Sequence, residues 1–139
     1  MKIMIIPPES INHFWNQIEQ YMQPVVEISF GEASIEGIKQ RLEQGNMLTV
    51  ACMAEGEDNT VIGCAVVAVS EFPDTNKRVL EIPYVGGERM HEWLADGMEV
   101  IRNIAKDLNC THLRGCGRPG WERALPEFKK IRTVYECEV

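Results

Sequence analysis

The chain has 139 residues, 45% of them hydrophobic and 25% charged, and these values fit one globular domain with one core. The formal net charge of −7 excludes the overall cationic field that a non-specific nucleic-acid binder needs. No apolar run approaches the roughly 20 residues that span a membrane, and residues 1–6 are too short for a secretory signal. We therefore expect a cytoplasmic protein that binds neither nucleic acid nor membranes.

The first third of the chain is predicted to form one strand and two helices. Residues 1–6 are apolar except for Lys2 and end at a Pro-Pro pair. Apolar residues at helical spacing predict an amphipathic helix over residues 8–23, which Pro24 should end because proline lacks the backbone N–H. Residues 25–30 are predicted as an irregular link. A second, shorter helix is predicted over residues 34–42.

Three strands follow one another in the middle of the chain. Residues 47–54 and 60–69 are rich in apolar and β-branched side chains and are separated by a polar turn, which predicts a β-hairpin. A further strand is predicted over residues 78–82, and Pro83 should close it. Three strands in succession disfavour a doubly wound sheet, in which strands and helices alternate.

The last third is predicted to contain a long amphipathic helix over residues 88–108, a strand over 111–114, a helix over 121–129 and an alternating strand over 131–139. The order of elements predicts a mixed α+β fold forming one domain over residues 1–139. Its central twisted sheet should be mostly antiparallel, with a parallel, right-handed crossover through the long helix and with helices on both faces.

The most informative motif lies in residues 81–94, which read Glu-Ile-Pro-Tyr-Val-Gly-Gly-Glu-Arg-Met-His-Glu-Trp-Leu. Together with the order of elements, it resembles the GNAT acyltransferase superfamily, whose motif is Val-x-Pro-x-x-Gln/Arg-Gly-x-Gly-Ile-Gly-x-x-Leu. Gly86 stands where that family has Gln or Arg, and Arg89 and His91 stand in place of two of its glycines. The positions that match are Pro83, Gly87, Met90 and Leu94.

The resemblance implies acetyl-CoA as cosubstrate, with no metal. In that family, backbone amides of this loop and of the following helix start bind the pyrophosphate of acetyl-CoA. The physical basis is general, because a helix N-terminus attracts anions and glycines allow close backbone approach. The residues that the resemblance implies for cofactor binding are Ile82, Val85, Gly86, Gly87, Glu88, Arg89, Met90 and His91.

The resemblance also implies the transfer of an acetyl group from a thioester to an amine. The amine must lose a proton, so a carboxylate, or a water that a carboxylate holds, is needed. Glu81 is the first candidate for this base and Glu71 is the second. Enzymes of the family often use a tyrosine near the position of Phe128 to protonate the departing thiolate. Here Tyr135, or alternatively Tyr84, would have to supply that hydroxyl.

Residues 114–123 read Arg-Gly-Cys-Gly-Arg-Pro-Gly-Trp-Glu-Arg and are similar to a segment of small GNAT-like proteins from bacteriophages and prophages. Two functions therefore stay open. The first is an N-acyltransferase that acetylates an amine of a small molecule or protein, with the acceptor unidentified. The alternative is a catalytically degenerate phage protein in the host cytoplasm or the virion, acting as a virion or protein-binding component. A homodimer or another protein partner is compatible with both.

The cysteines are predicted to be reduced thiols. There are five of them, and an odd number without a secretory signal argues against a disulfide framework. Cys110, His112 and Cys116 have a spacing that zinc ligands use, but no fourth ligand follows nearby, so no metal site is predicted. Trp121 is expected to pack the last helix onto the sheet.

Overall fold

The computed structural model describes residues 1–56, 59–117 and 120–139. Within these ranges no helix combines the length and the apolar character that crossing a bilayer requires. The elements along the chain are β1 (Lys2–Ile6), a 3-10 turn (Pro8–Ser10), α1 (Ile11–Glu27), α2 (Ile35–Glu43), β2 (Leu48–Met53), β3 (Val61–Phe72), β4 (Lys77–Gly87), α3 (Met90–Asp107), β5 (His112–Gly115) and α4 (Trp121–Ala124).

The five strands form one mixed sheet in the order β1-β2-β3-β4-β5. The first four strands pair antiparallel with their neighbours in the sequence, and β4 pairs with β5 in parallel. A parallel pair needs a crossover connection, and α3 provides it. The predicted mixed sheet with one parallel crossover is confirmed.

Helices cover both faces of the sheet, as predicted. Successive strand side chains point to opposite faces, so the neighbours Val66 and Val67 belong to different cores. Val66 packs with Ile18 of α1 and Leu42 of α2. Val67 packs with Ile101 of α3 on the other face, where the residues around α4 also lie.

Helix α1 is longer than the sequence predicts. It continues through Pro24 to Glu27, so the first three residues of the predicted irregular link are helical. Proline removes one helical hydrogen bond. Val25 and Val26, directly after it, pack against the α1–α2 core. Tertiary packing therefore outweighs the local preference of this proline.

Helix α2 agrees with its prediction, and a side chain caps its start. The Ser34 hydroxyl accepts a hydrogen bond from the Gly37 amide at 3.0 Å. A serine at this position satisfies one of the amides that a helix start leaves without an intrahelical partner.

Strand β4 is also longer than predicted, and its expected end at Pro83 is wrong. The pairing of β3 with β4 moves from Ala68–Glu81 to Val66–Tyr84, so two residues of β4 stand opposite one residue of β3. This is a β-bulge, in which the ladder is locally interrupted. Proline is tolerated at a bulge because no ladder hydrogen bond is lost there. The strand therefore continues for five residues beyond its expected end.

The predicted helix over residues 121–129 is shorter in the structure. Helix α4 ends at Ala124, and Leu125 leaves the helical region with φ −132° and ψ 76°. Leu125 precedes Pro126, and the residue before a proline is disfavoured in helical geometry. Two residues of the phage-like segment, Arg118 and Pro119, lie outside the described residues.

The predicted strand over residues 131–139 is wrong. This C-terminal segment has no regular secondary structure, and all of its residues are exposed. A strand exists only through hydrogen bonds to a neighbouring strand. Alternating side chains favour a strand but do not supply the neighbour.

Candidate functional site

Among the described residues, no strand pairs with one edge of the second half of β4. β4 pairs with β5 over four residues, ending at Ile82. The Glu88 amide donates to the Ile62 carbonyl of β3 at 2.8 Å. Because backbone groups alternate along a strand, the amides of Val85 and Gly87 then point to the opposite edge. We call residues 83–87, with these two outward amides, the open half of β4.

The glycines in this half have a packing role that the sequence alone does not show. A Cβ atom on Gly86 would overlap the carbonyl oxygen of Tyr21 in α1. A Cβ atom on Gly87 would overlap the Cα atom of Gly63, and Gly87 has φ +149°, which side chains rarely adopt. Helix α1 and strand β3 therefore require glycine at both positions.

Two side chains hold the end of β4, and sequence reasoning missed both of them in this role. The indole N–H of Trp93 donates to the Glu88 carbonyl at 2.9 Å, and its ring packs beside Gly87. The Tyr21 hydroxyl donates to the Glu88 carboxylate at 3.2 Å. Burial raises the pKa of Tyr21, and this carboxylate raises it further. The contact between Tyr21 and Glu88 could not be predicted from the sequence because the two residues are far apart in it.

Helix α3 begins without a side-chain cap. Arg89, at the N-cap, has a left-handed conformation with φ 53°, and its guanidinium turns to Glu92, with Nη2 3.1 Å from Oε1. The hydrogen bond from Arg89 lowers the pKa of Glu92. The amides of Met90 and His91 are at the helix start, where no intrahelical acceptor exists. Arg89 and His91 are both exposed.

A cavity of about 160 Å³ lies between the sheet and helices α3 and α4. Two of its walls come from Ile82 and Val85, which flank the bulge of β4. The cavity is therefore next to the open half of β4, on the α3 face of the sheet. Its other walls include Trp93, Gly97, Met98 and Trp121.

Trp121 packs as the sequence predicts. Its indole lies so close to the end of β5 and to the residues that follow that a Cβ atom on Gly115 or Gly117 would overlap the ring. Phe128 contacts it edge to face, with ring centroids 6.0 Å apart. Because these two positions are glycines, α4 can pack closely over the sheet. Helix α4 then forms one wall of the cavity.

Glu81 lies on the other face of β4. Leu80 and Ile82 belong to the α3 core, and alternation therefore turns Glu81 to the α1–α2 face. Its side chain is 25% exposed, and Oε1 lies 3.6 Å from Nη1 of Arg114 on β5. Arg114 also stacks over the Phe72 ring, with the guanidinium carbon 5.1 Å from the ring centroid. Nothing in the residue spacing indicates that Arg114 faces Glu81.

The two candidate tyrosines are placed differently. Tyr84 is half-buried on the α1–α2 face, and its hydroxyl accepts from Nη2 of Arg41 at 3.4 Å. Tyr135 lies in the C-terminal segment and is 90% exposed. Glu71, the second candidate base, forms an ion pair with Arg78 near the hairpin turn. The structure thus brings Glu81 and Tyr84 to one face of the bulge.

The thiols contribute little to this site. Burial raises the pKa of Cys64, opposite Gly86, to about 12, so the thiol stays neutral. Cys116 is exposed, and the ring of His112 contacts the hydroxyl of Thr111, with Nδ1 and Oγ1 2.8 Å apart. Among the described residues, no group of three or more His, Cys, Asp or Glu side chains could hold a metal ion.

Comparison with known proteins finds similarity in structure and not in sequence. No family model matches the chain, and no curated protein is significantly similar. A probable acetyltransferase superposes with a TM-score of 0.75 at 15% identity, covering 100% of this chain and 98% of its own. Aminoglycoside N-acetyltransferase AAC(6')-Iy in complex with CoA gives 0.69 at 12% identity, covering 99% and 93%.

A GNAT family acetyltransferase from Staphylococcus aureus gives a TM-score of 0.66 at 14% identity, with 100% of both chains covered. The chain therefore has the GNAT fold over its whole length. Identities this low establish the fold alone, so the activity has to be argued from the site.

Proposed function

We propose that this protein is a GNAT-type N-acyltransferase that moves an acyl group from an acyl-CoA, such as acetyl-CoA, to an amine of a small molecule or protein. The observation that carries the proposal is the open half of β4. The pantetheine arm of CoA contains two amide groups, and these can pair with a strand edge as a neighbouring strand would. The outward amides of Val85 and Gly87 supply donors for that pairing.

The start of α3 suits the other end of the cosubstrate. The amides of Met90 and His91 and the positive end of the helix dipole favour an anion such as a pyrophosphate. The carboxylates of Glu88 and Glu92 oppose it. The ion pair with Arg89 offsets part of the charge of Glu92, and Glu88 accepts a hydrogen bond from Tyr21. Because both carboxylates nevertheless lie near the helix start, we infer that the pantetheine arm contributes more of the affinity than the phosphates do.

The residues around the bulge can perform the proton transfers. Glu81 is a carboxylate on the α1–α2 face and would accept the proton that the attacking amine loses. As the bond forms, negative charge grows on the thioester oxygen, and hydrogen-bond donors near the bulge, other than the two outward amides, would stabilise it. The departing thiolate needs a proton. Tyr84, which is half-buried on the same face of β4 as Glu81, is the better candidate to give it than the exposed Tyr135.

A thermal-shift series tests this proposal. CoA and acetyl-CoA should both raise the melting temperature, and a ligand at 100 times its Kd adds about 2.7 kcal/mol to the free energy of unfolding. Adenosine 3′,5′-bisphosphate, which lacks the pantetheine arm, is the matched ligand control and should stabilise less. The absence of any shift with millimolar CoA or acetyl-CoA would refute the acyltransferase function.

The C-terminal segment favours a second candidate, the catalytically degenerate protein-binding component that the sequence also suggested. Several of its apolar side chains are largely exposed, including Ile131 (63%), Val134 (82%) and Tyr135 (90%). A group of exposed apolar residues is typical of a surface that contacts another protein. A phage or prophage origin would fit such a role.

Light scattering and CoA titration together separate the two candidates. The second candidate predicts a complex with a second copy or another chain that is lost when residues 130–139 are deleted, and no response to CoA. A monomer that binds no other chain and responds to CoA would exclude it.

A further inference from the structure

We propose that the cavity beneath α3 is an acyl-binding pocket for a linear chain of about six carbons, so that the preferred donor is a medium-chain acyl-CoA. The inference rests on the proposed function, because the acyl group would reach the cavity from the open half of β4. It extends that function by naming the class of acyl group.

The size of the cavity is the first argument. Protein interiors are packed as densely as organic crystals and contain few voids larger than a water molecule. This cavity measures about 160 Å³. An engineered apolar cavity of about 150 Å³ in another protein binds benzene, which has six carbons. An acetyl group would bring only one methyl group to a space of this size.

The chemistry of the walls is the second argument. The described lining residues carry no charged side chain. The indole N–H of Trp93 is already bound to the Glu88 carbonyl, and burial raises the pKa of the Cys52 thiol, which keeps it neutral. A buried carboxylate would have no partner here and would be strongly disfavoured. The pocket should therefore accept an unbranched hydrocarbon chain and reject acyl groups that end in a carboxylate.

The position of the cavity is the third argument. Ile82 and Val85 form its wall on β4, whereas Ile3 of β1 also lines it. The cavity thus extends from the bulge towards β1, the edge strand of the sheet, and lies beneath the first half of α3. Glu81 lies on the opposite face of the same strand. With the acyl chain in the cavity, the carbonyl group of the thioester would lie at the bulge of β4, which begins directly after Glu81.

Gly97 supports the same assignment. It lies inside α3, where glycine is a poor helix former. A Cβ atom there would approach the Trp93 ring at 3.4 Å and 3.7 Å, which is ordinary contact, so no overlap requires glycine. In contrast to Gly86 and Gly87, its missing side chain has one evident effect, which is to leave space in the cavity.

Isothermal titration with a series of CoA thioesters tests the proposal. Each methylene group that becomes buried should strengthen binding about fourfold. Hexanoyl-CoA should therefore bind at least tenfold more tightly than acetyl-CoA, and succinyl-CoA should bind no better than acetyl-CoA. Gly97→Leu should remove the preference for hexanoyl-CoA and leave acetyl-CoA binding within about threefold. Ala95→Leu, on the exposed side of the same helix, is the matched control and should keep the preference.

Ala124→Leu fills the cavity from α4 and provides a second test if Gly97→Leu does not fold. Benzene should raise the melting temperature of the wild-type protein and should do so less in the filled variants. The inference is overturned if hexanoyl-CoA binds no more tightly than acetyl-CoA, or if the preference survives in a folded filled variant. Tight binding of acetyl-CoA in that case would leave the proposed function intact, whereas no binding of any thioester would remove both.

Discussion

The two halves of β4 differ in what lies along their edges. Residues 77–82 have β3 on one side and, from Val79, β5 on the other. Residues 83–87 keep β3, and in the part of the chain that the structure describes no strand pairs with their second edge. The change falls at the bulge around Pro83, which shifts the alternation of the backbone. One proline thus separates a half that holds the sheet together from a half that can bind a ligand.

The contacts around residues 83–87 explain how an open strand edge can persist. Exposed edges tend to pair with other chains, and proteins usually restrict them. Here the open half is short, contains a proline, and is fixed from the other side by Trp93, Tyr21 and the close contact between Gly87 and Gly63. We infer that these contacts hold the edge in place so that a ligand can pair with it.

Replacing Trp93 should have the largest effect on the second half of β4. This side chain is 4% exposed and anchors the end of β4. Trp93→Ala should lower the free energy of unfolding by about 4 kcal/mol through lost burial and a new cavity. Trp93→Phe removes mainly one hydrogen bond and should cost about 1 kcal/mol. Urea denaturation gives both values, and equal losses for the two variants would argue against the packing role.

Replacing Glu81 should separate chemistry from binding. Glu81→Gln keeps the shape of the side chain and removes the base, so kcat for acyl transfer should fall by about 100-fold or more. Binding of CoA, measured by titration, should change little because Glu81 lies on the other face of β4. Glu71→Gln, at the hairpin end, is the control. Comparable losses of kcat in both variants would contradict the assignment.

Hydrogen exchange should distinguish the two halves without any variant. The Arg78 carbonyl accepts a hydrogen bond from the Thr111 amide, so the backbone groups of Arg78 point to β5. Because backbone groups alternate along a strand, the amides of Leu80 and Ile82 also point to β5 and pair with it. The amides of Val85 and Gly87 should exchange on the order of 100-fold faster in the free protein. Equal protection of the four amides would show that the second half of β4 is also closed.

The smallest effect concerns the start of α3. Arg89 holds the pKa of Glu92 below its usual value, so the pair contributes stability above the unfolded-state pKa, and that contribution is lost as the pH falls through the folded-state pKa. In Arg89→Ala, an NMR titration should show the pKa of Glu92 rising towards its usual value. The stability difference between variant and wild type should then vanish at low pH. An unchanged pKa would contradict the ion pair.

Much of the fold could be predicted because local patterns agree with tertiary packing. The hairpin of β2 and β3, the cap of α2 and the long helix α3 follow from residue spacing. Four predictions failed where a proline or a missing neighbour decides the outcome, and one of them is helix α4, which ends just before Pro126. Pro24 lies in a helix turn whose next two residues are half-buried against the α1–α2 core, Pro83 lies at a bulge, and no described strand lies beside residues 131–139. Sequence spacing contains none of this information.

The candidate site could be predicted only as a segment. The motif indicated residues 81–91, but not that Gly86 and Gly87 also serve packing. It gave no sign of the contacts that Tyr21, Trp93 and Arg114 make, because these join residues far apart in the sequence. The cavity was hidden for the same reason, since its walls come from four strands and two helices.

The most direct test of the central claim is hydrogen exchange at Val85 and Gly87 with and without CoA. If the pantetheine arm pairs with the open half of β4, saturating CoA should slow exchange of both amides at least tenfold, whereas Leu80 and Ile82 should change little. Unchanged exchange at Val85 and Gly87 in millimolar CoA would contradict the account.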